Sequence, residues 1–378
     1  MRLRHFAALR PHCPICYRDR GEQPRLSLAS TLRREEDVIV EGVLLCPSPG
    51  CQREYPILDG IPVIVAGLRD FLAQNLFQAM MRDDLSETLE SILGDCSGPA
   101  SLLDAVRHQL SCYAWDHYGL HDPAEPAPEP PAPRAGAAVR VLERGLELAG
   151  SWPEGPIVDL GCSVGGTTFA LAARTDRLVV GIDLNLAMLR LASRALLRGE
   201  VRYPRKRSGV VYDQRRFPVR FPRAENVDFW ACDVAALPFA EGTFALASVL
   251  NLIDCVRAPR DLLAEGARVL APGGGMVVTS PYDWSATATP IETWLGGHSQ
   301  RGIDHGSSAA VLRALLTPGG HPAAVTGLRL EAEIEEVPWH VRLHDRSAVA
   351  YAVHLVVARK MAEAGGAAAS GGGVDDHH

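Results

Sequence analysis

The chain has 378 residues, of which 47% are hydrophobic and 22% charged, and its formal net charge is −7. That length suits two domains at ~100–200 residues each, and the mild acidity argues against a surface that clasps nucleic acid. No apolar run reaches the roughly 20 residues that cross a bilayer, nor is there a signal-peptide core near the start, so a cytoplasmic protein without a membrane partner is expected.

Residues 1–67 read as a first unit. Nine cysteines in a chain this long do not suggest a disulfide framework. Cys13-Pro-Ile-Cys16 and Cys46-Pro-Ser-Pro-Gly-Cys51 instead form two close pairs, and four thiolates on tight turns are the soft ligands that tetrahedral zinc prefers. The alternative is two incidental or redox pairs, since the second spacing is CxxxxC. Between the pairs, Val38 to Leu45 reads as strand, which makes a zinc-ribbon hairpin. The following string, Glu54-Tyr-Pro-Ile-Leu-Asp-Gly-Ile-Pro62, resembles the small zinc-ribbon proteins that activate RNA and release-factor methyltransferases. That resemblance implies a structural Zn2+, a methyltransferase partner fused in cis, and a surface through which the ribbon could meet a protein partner.

Residues 68–122 read as a helical connector. Phe71-Leu72, Leu76-Phe77, Met80-Met81, Leu85, Leu89 and Ile92-Leu93 recur at helical spacing and suit a core-facing stripe. Tyr113-Ala-Trp-Asp-His-Tyr118 suits either a lid over a pocket or a satisfied helix end. Residues 123–136 hold a proline-rich stretch, a semi-rigid linker or solvated loop.

From 137 to 361 the pattern is α/β, a Rossmann-like sheet. Ile157-Val158 is a short buried strand ending at Asp159, and Gly161, Gly165 and Gly166 then open a helix. The second strand, Leu178 to Asp183, ends on an acid suited to a ribose diol. The third ends on Asp233 beside Val234, a carboxylate for an exocyclic amine next to an apolar cover for an adenine ring. Asp159, Asp183 and Asp233 together resemble the class I S-adenosylmethionine-dependent methyltransferases, whose first strand is followed by (D/E)xGxGxG. Ser163 stands here at the middle glycine. The competing readings are a nicotinamide dehydrogenase and a structural turn. The resemblance implies S-adenosylmethionine as cofactor, met by Asp159, Gly161, Cys162, Ser163, Gly165, Asp183, Leu184, Asp233, Val234 and Asn251.

An insertion at 198–223 carries Arg202, Arg205, Lys206, Arg207, Arg215, Arg216, Arg220 and Arg223. It reads as a solvated hairpin, a clamp for a substrate carboxylate, or a patch for RNA phosphate. The fourth strand, Phe244 to Leu250, delivers Asn251-Leu-Ile-Asp254. A helix from Arg260 to Leu270 and a glycine turn, 271–275, precede the fifth strand, Met276 to Ser280. Strands at 328–337 and 348–358 should close the sheet, and the Gly/Ala-rich tail, 362–378, should be disordered.

Asn251-Leu-Ile-Asp254, Ser280-Pro-Tyr282-Asp-Trp284, Thr289-Pro and Trp294-Leu-Gly-Gly297, with Arg202-Tyr203 in the insertion, resemble the methyltransferase domain of ovothiol biosynthesis. That domain methylates an imidazole nitrogen of mercaptohistidine. The ovothiol enzymes carry an iron sulfoxide-synthase module where this chain carries the ribbon. The resemblance implies a small thiohistidine-like substrate, with Asn251, Asp254 and Tyr282 as catalytic residues and Tyr203, Trp284 and Trp294 against the substrate. A neutral imidazole already has a lone pair at neutral pH, so the protein's task is to accept the other N–H and turn the free nitrogen toward the methyl. Asn251 and Asp254 could instead cap a turn, and the tryptophans could close the core. Two other functions compete: an RNA or protein methyltransferase served by the ribbon, and a non-enzymatic cofactor-binding scaffold.

Overall fold

A computed structural model describes residues 1–68, 71, 99, 101–125, 133–302 and 305–362. The apolar stripe expected from Leu72 to Leu93, most of the proline-rich stretch and the tail beyond 362 lie outside the described residues.

Two short helices, α1 (Leu3–Leu9) and α2 (Pro14–Arg20), precede four strands, β1 (Ser27–Glu35), β2 (Val38–Leu45), β3 (Glu54–Leu58) and β4 (Ile61–Ile64). Helices α3 (Leu102–Tyr118) and α4 (Ala137–Ala149) follow. The alternating region then runs β5 (Ile157–Leu160), α5 (Gly166–Ala172), β6 (Val179–Asp183) and α6 (Leu186–Arg198). The insertion forms a hairpin, β7 (Glu200–Ser208) with β8 (Val211–Pro218). After it come β9 (Val227–Cys232), β10 (Phe244–Leu250), α7 (Pro259–Val269), β11 (Leu270–Ser280), α8 (Ser308–Leu315), β12 (Leu328–His344) and β13 (Ser347–Lys360). The glycine turn expected at 271–275 is instead the start of β11, where its pairing with β10 slips register.

Local chemistry explains the boundaries. Asn185 accepts the N–H groups of Ala187 and Met188 and so caps α6, which ends at Gly199 in left-handed backbone (φ +61°). Ser101 does the same for α3 through Asp104. Strands β9 and β5 are buried along their whole length, as central parallel strands must be when helices cover both faces.

Eleven strands make one sheet in the order β1-β2-β3-β4-β9-β6-β5-β10-β11-β13-β12. From β4 to β11 the pairings are parallel, and β13 returns antiparallel to β11. The first unit is therefore continuous with the α/β sheet, because Val63 and Ile64 pair with Ala231 and Cys232. Side chains fasten the same junction. Ser193 of α6 donates to the carbonyl of Asp59 at 2.7 Å, and Arg190 pairs with the Asp59 carboxylate at 2.9 Å. The Asp59-Gly60 turn thus rests on α6, and the strand after it extends the sheet.

Candidate active site

The carboxyl ends of β9, β6, β5, β10 and β11 lie along one edge of the sheet. Strand order reverses between β5 and β10, and open α/β sheets bind ligands at such a switch point.

At the end of β5 the chain turns through Gly161, Ser163 and Gly165, all in left-handed backbone (φ +75°, +52° and +89°). At Gly165 a Cβ would also come within 2.5 Å of the Phe229 ring. Asp159 does not face outward. It is 1% exposed, and the hydroxyls of Thr167, Thr168 and Ser248 donate to it at 2.7, 2.7 and 2.6 Å. Burial pushes its carboxyl up and those bonds oppose the shift, so Asp159 holds the turn from beneath. Cys162 beside it is buried as well. Asp183, at the end of β6, accepts the N–H of Ser163 at 2.9 Å and of Asn185 at 2.7 Å, which ties the second strand end to the glycine turn. Leu184 is 40% exposed next to it. Asp233 accepts from Ala235 N–H at 2.9 Å, with Val234 buried alongside.

The aromatic segment of α3 divides its tasks. His117 Nδ1 accepts the N–H of Gly166 at 3.0 Å, burial lowering the ring to about 4 so that it stays neutral. Tyr118 donates to the carbonyl of Val164. Asp116 caps α4 by accepting from Ala137 and Ala138. These three are satisfied structural groups that fix the turn. Tyr113 differs: it is 41% exposed and stands among Asp183, Cys255 and Tyr351.

On the other side of the switch point, Asn251 (φ +47°) and Tyr282 (φ +57°) both take left-handed backbone directly after β10 and β11. The Thr279 hydroxyl donates to Asn251 Oδ1 at 2.8 Å. Asp254 is 2% exposed, and one oxygen accepts the N–H of Asp283 at 2.9 Å. Its Oδ1 makes no hydrogen bond among the described residues, and burial raises the carboxyl to about 6 against the lowering effect of Asp283 and Ser280. Its backbone carbonyl also accepts from Ser285 and Thr289, so Asp254 anchors the loop after β11. Two further residues join this half of the site, neither of them marked by any motif. Tyr282 Oη lies 2.7 Å from His354 Nδ1, and His354 Nε2 lies 2.9 Å from Glu333, which Arg313 holds at 2.7 Å. His354 falls in the continuously buried half of β13 and Glu333 at an exposed position of β12, and neither position carries a sequence signal for chemistry.

Three residues expected against a substrate have other partners. Trp284 and Trp294 stack on each other, centroids 5.5 Å apart and 11° between planes, with indole N–H groups donating to Ser308 and to the Thr289 carbonyl. They close the loop after β11. Tyr203 is fully buried, edge-on to Phe217 inside the insertion hairpin. The insertion's cations are also largely engaged: Arg205 with Glu125 and Asp345, Arg207 with Asp213 and Asp345, Arg215 with Asp122, Arg216 with Glu200 and Arg223 with Asp176. A patch for RNA phosphate would need them free.

The sulfurs of Cys13, Cys16, Cys46 and Cys51 all lie within 4.8 Å of one another. Cys13–Cys51 and Cys16–Cys46 are 3.8 and 3.7 Å apart. A disulfide would need ~2.05 Å, whereas a tetrahedron with ~2.3 Å zinc–sulfur bonds has edges of about 3.8 Å. Arg20 donates to Cys16 Sγ at 2.8 Å and the Tyr55 hydroxyl lies 3.1 Å from Cys13 Sγ. Burial pushes the Cys16 and Cys46 thiols up, so these two would ionise here only against a cation. The cluster is compatible with zinc.

Residues 158–278 match the family model described as a methyltransferase domain. Among curated proteins the chain is similar to norajmaline N-methyltransferase of Rauvolfia serpentina, 26% identical over 169 residues, 43% of this chain and 50% of the relative. It is also similar to demethylmenaquinone methyltransferase of Renibacterium salmoninarum, 28% identical over 134 residues, 35% of this chain and 44% of the relative. The chain spans about half the length of the curated relatives it matches. Among solved structures, a SAM-dependent methyltransferase of Methanosarcina mazei aligns with 19% identity and a TM-score of 0.35, over 55% of this chain and 93% of that one. Within the Rossmann-like sheet, residues 158–278 are therefore similar to a methyltransferase domain.

Proposed function

We propose that the chain is an N-methyltransferase that moves the methyl of S-adenosylmethionine to the imidazole of a small thiohistidine-like molecule. The observation that carries this reading is the group at the ends of β10 and β11. Asn251 and Tyr282 are held in backbone that side-chain-bearing residues rarely adopt, and beside them Asp254 is a buried carboxyl with one oxygen that has no partner among the described residues. Strain of this kind persists where the surroundings enforce it, and it collects at functional sites.

Asp183 would meet the cofactor's ribose, Asp233 and Val234 its adenine, and the main chain of Gly161, Cys162, Ser163 and Gly165 its amino-acid end, with Leu184 flanking. S-adenosylmethionine supplies an electrophilic methyl on a sulfonium. The protein's own part is to exclude water and to present a nitrogen lone pair in line. Asp254 would accept the imidazole N–H through its free oxygen, Asn251 would orient the ring through its amide, and Tyr282, backed by His354 and Glu333, would form a wall able to hold or release a proton.

Residues 1–67 would serve as a zinc ribbon with Cys13, Cys16, Cys46 and Cys51 as ligands, stabilising the catalytic region, 137–361, in cis. The junction of β4 with β9 and the contacts of Asp59 with α6 support that arrangement. The test is a methylation assay with S-adenosylmethionine on mercaptohistidine beside bulk RNA. Turnover on the small molecule alone supports the reading. Turnover on RNA alone would replace it, and cofactor binding without any turnover would leave a scaffold.

A further inference from the structure

β12 and β13 run past the sheet, and their connecting tip meets the end of α3, the insertion hairpin and the chain entering α4. Between these elements lies a cavity of about 830 Å³, lined among others by Trp115, Arg134, Arg205, Arg342, Asp345 and Arg346. It lies outside the group formed by Asn251, Asp254 and Tyr282.

The lining is arranged in an unusual way. Arg342 is 6% exposed. Its Nη2 donates to the Lys206 carbonyl at 3.2 Å and to Asp345, while its Nη1 has no hydrogen-bond partner among the described residues. Arg205 pairs through Nη1 with Glu125 at 3.2 Å and through Nη2 with Asp345 at 3.5 Å, and its Nε is likewise buried without a hydrogen-bond partner among the described residues. One carboxylate, Asp345, is thus divided among Arg205, Arg207 and Arg342. Asp122, also in the lining, is taken by Arg215, which donates to both its oxygens at 2.7 and 2.5 Å. Among the described residues four guanidiniums, of Arg134, Arg205, Arg342 and Arg346, therefore line the cavity against Glu125 and a shared Asp345. Unpaired N–H groups on buried cations are costly, and a guanidinium left with free donors is matched in shape and charge by an oxyanion.

We propose that this cavity binds a small carboxylate- or phosphate-bearing anion, held by Arg342 and Arg205. The inference rests on the cavity and its arginines and does not depend on the methyl acceptor. The oxyanion could belong to the far end of the enzyme's own substrate or to a separate small molecule, and the two are distinguishable.

The experiment titrates the full chain with inorganic phosphate against sodium chloride of equal ionic strength, following heat of binding and melting temperature. Wild type should show saturable binding and a rise in melting temperature. Arg205→Gln should weaken the affinity at least tenfold while S-adenosylmethionine affinity, the measure of a correctly folded sheet, stays within twofold. Arg342→Gln should do the same, and Arg205→Gln keeps the test open if loss of the buried Arg342 prevents folding. If mercaptohistidine and phosphate exclude each other, the anion is the substrate's own carboxylate; if both bind together, it is a separate ligand. Either result supports the site. No saturable phosphate binding in wild type, or the same binding in well-folded Arg205→Gln, would overturn it.

Discussion

Asp254→Asn separates a residue that works from one that merely braces a loop. In the folded chain burial raises this carboxyl from an ordinary 3.8 to about 6. At ~1.4 kcal/mol per unit, keeping it ionised costs the fold about 3 kcal/mol. Because the folded value is the higher one, the cost is absent below about pH 4, grows as the pH rises through 6, and is complete above it. Asparagine retains an acceptor for the Asp283 N–H and carries no charge, so the variant should match wild type in stability at pH 4. At pH 8 it should gain up to about 3 kcal/mol. If the free oxygen accepts the acceptor's N–H, the amide presents a donor in its place and turnover should fall about 100-fold, with cofactor affinity nearly unchanged. The measurements are chemical denaturation at pH 4 and 8, calorimetric titration with S-adenosylmethionine, and turnover on mercaptohistidine. A variant that is less stable than wild type at pH 8 refutes the electrostatic argument. One with full turnover removes Asp254 from the mechanism and leaves it as the anchor of the loop after β11.

Asp183→Ala should weaken S-adenosylmethionine binding roughly tenfold or more, since charge-assisted hydrogen bonds contribute about 1.5–3 kcal/mol; unchanged affinity by calorimetric titration would remove the cofactor assignment of this strand end. Cys46→Ser should lose stoichiometric zinc by metal analysis and lower the melting temperature, because metal binding at such a site is folding energy. Ser163→Gly should relieve the left-handed strain at φ +52° and stabilise the chain by up to about 1 kcal/mol in denaturant melts. Trp284→Ala should destabilise by about 3 kcal/mol through lost packing against Trp294, yet leave S-adenosylmethionine affinity intact; a matching loss of cofactor affinity would place the stack in the binding site.

The parallel sheet was legible because its strands are apolar runs, three of them short with an acid at or beside the end, and the glycine turn because no other residue suits φ near +80°. What the motifs could not convey was direction. Asp159 carries the family pattern, but its burial under three hydroxyls depends on Thr167, Thr168 and Ser248, and Ser248 comes from a strand almost ninety positions away. Trp284 and Trp294 look alike as ligand-stacking rings or as each other's partners, and only the turn between them decides. His354 and Glu333 belong to a long hairpin whose pattern, alternating along β12 and continuously buried along the second half of β13, reports strands and nothing about chemistry. The arginines of the insertion looked available because most of their acids lie elsewhere in the chain, at Asp122, Glu125, Asp176 and Asp345, and only Glu200 and Asp213 are local.

The strand borrowed from the first unit also changes how this molecule meets its own copies. At one margin of the sheet β1 presents Arg33, Arg34 and Glu35, and at the other β12 presents Arg329, Glu331 and Glu335, so both free ladders carry charge that discourages strand-to-strand addition. Behind β4 lies β9, Val-Asp-Phe-Trp-Ala-Cys, buried along its whole length. If the cysteine cluster opens and β4 peels away, the Ala231-Cys232 end of this strand becomes part of a new margin, with no lysine, proline or bulge to guard it. Metal depletion would then show itself as fibrous or amorphous association well before the rest of the sheet unfolds.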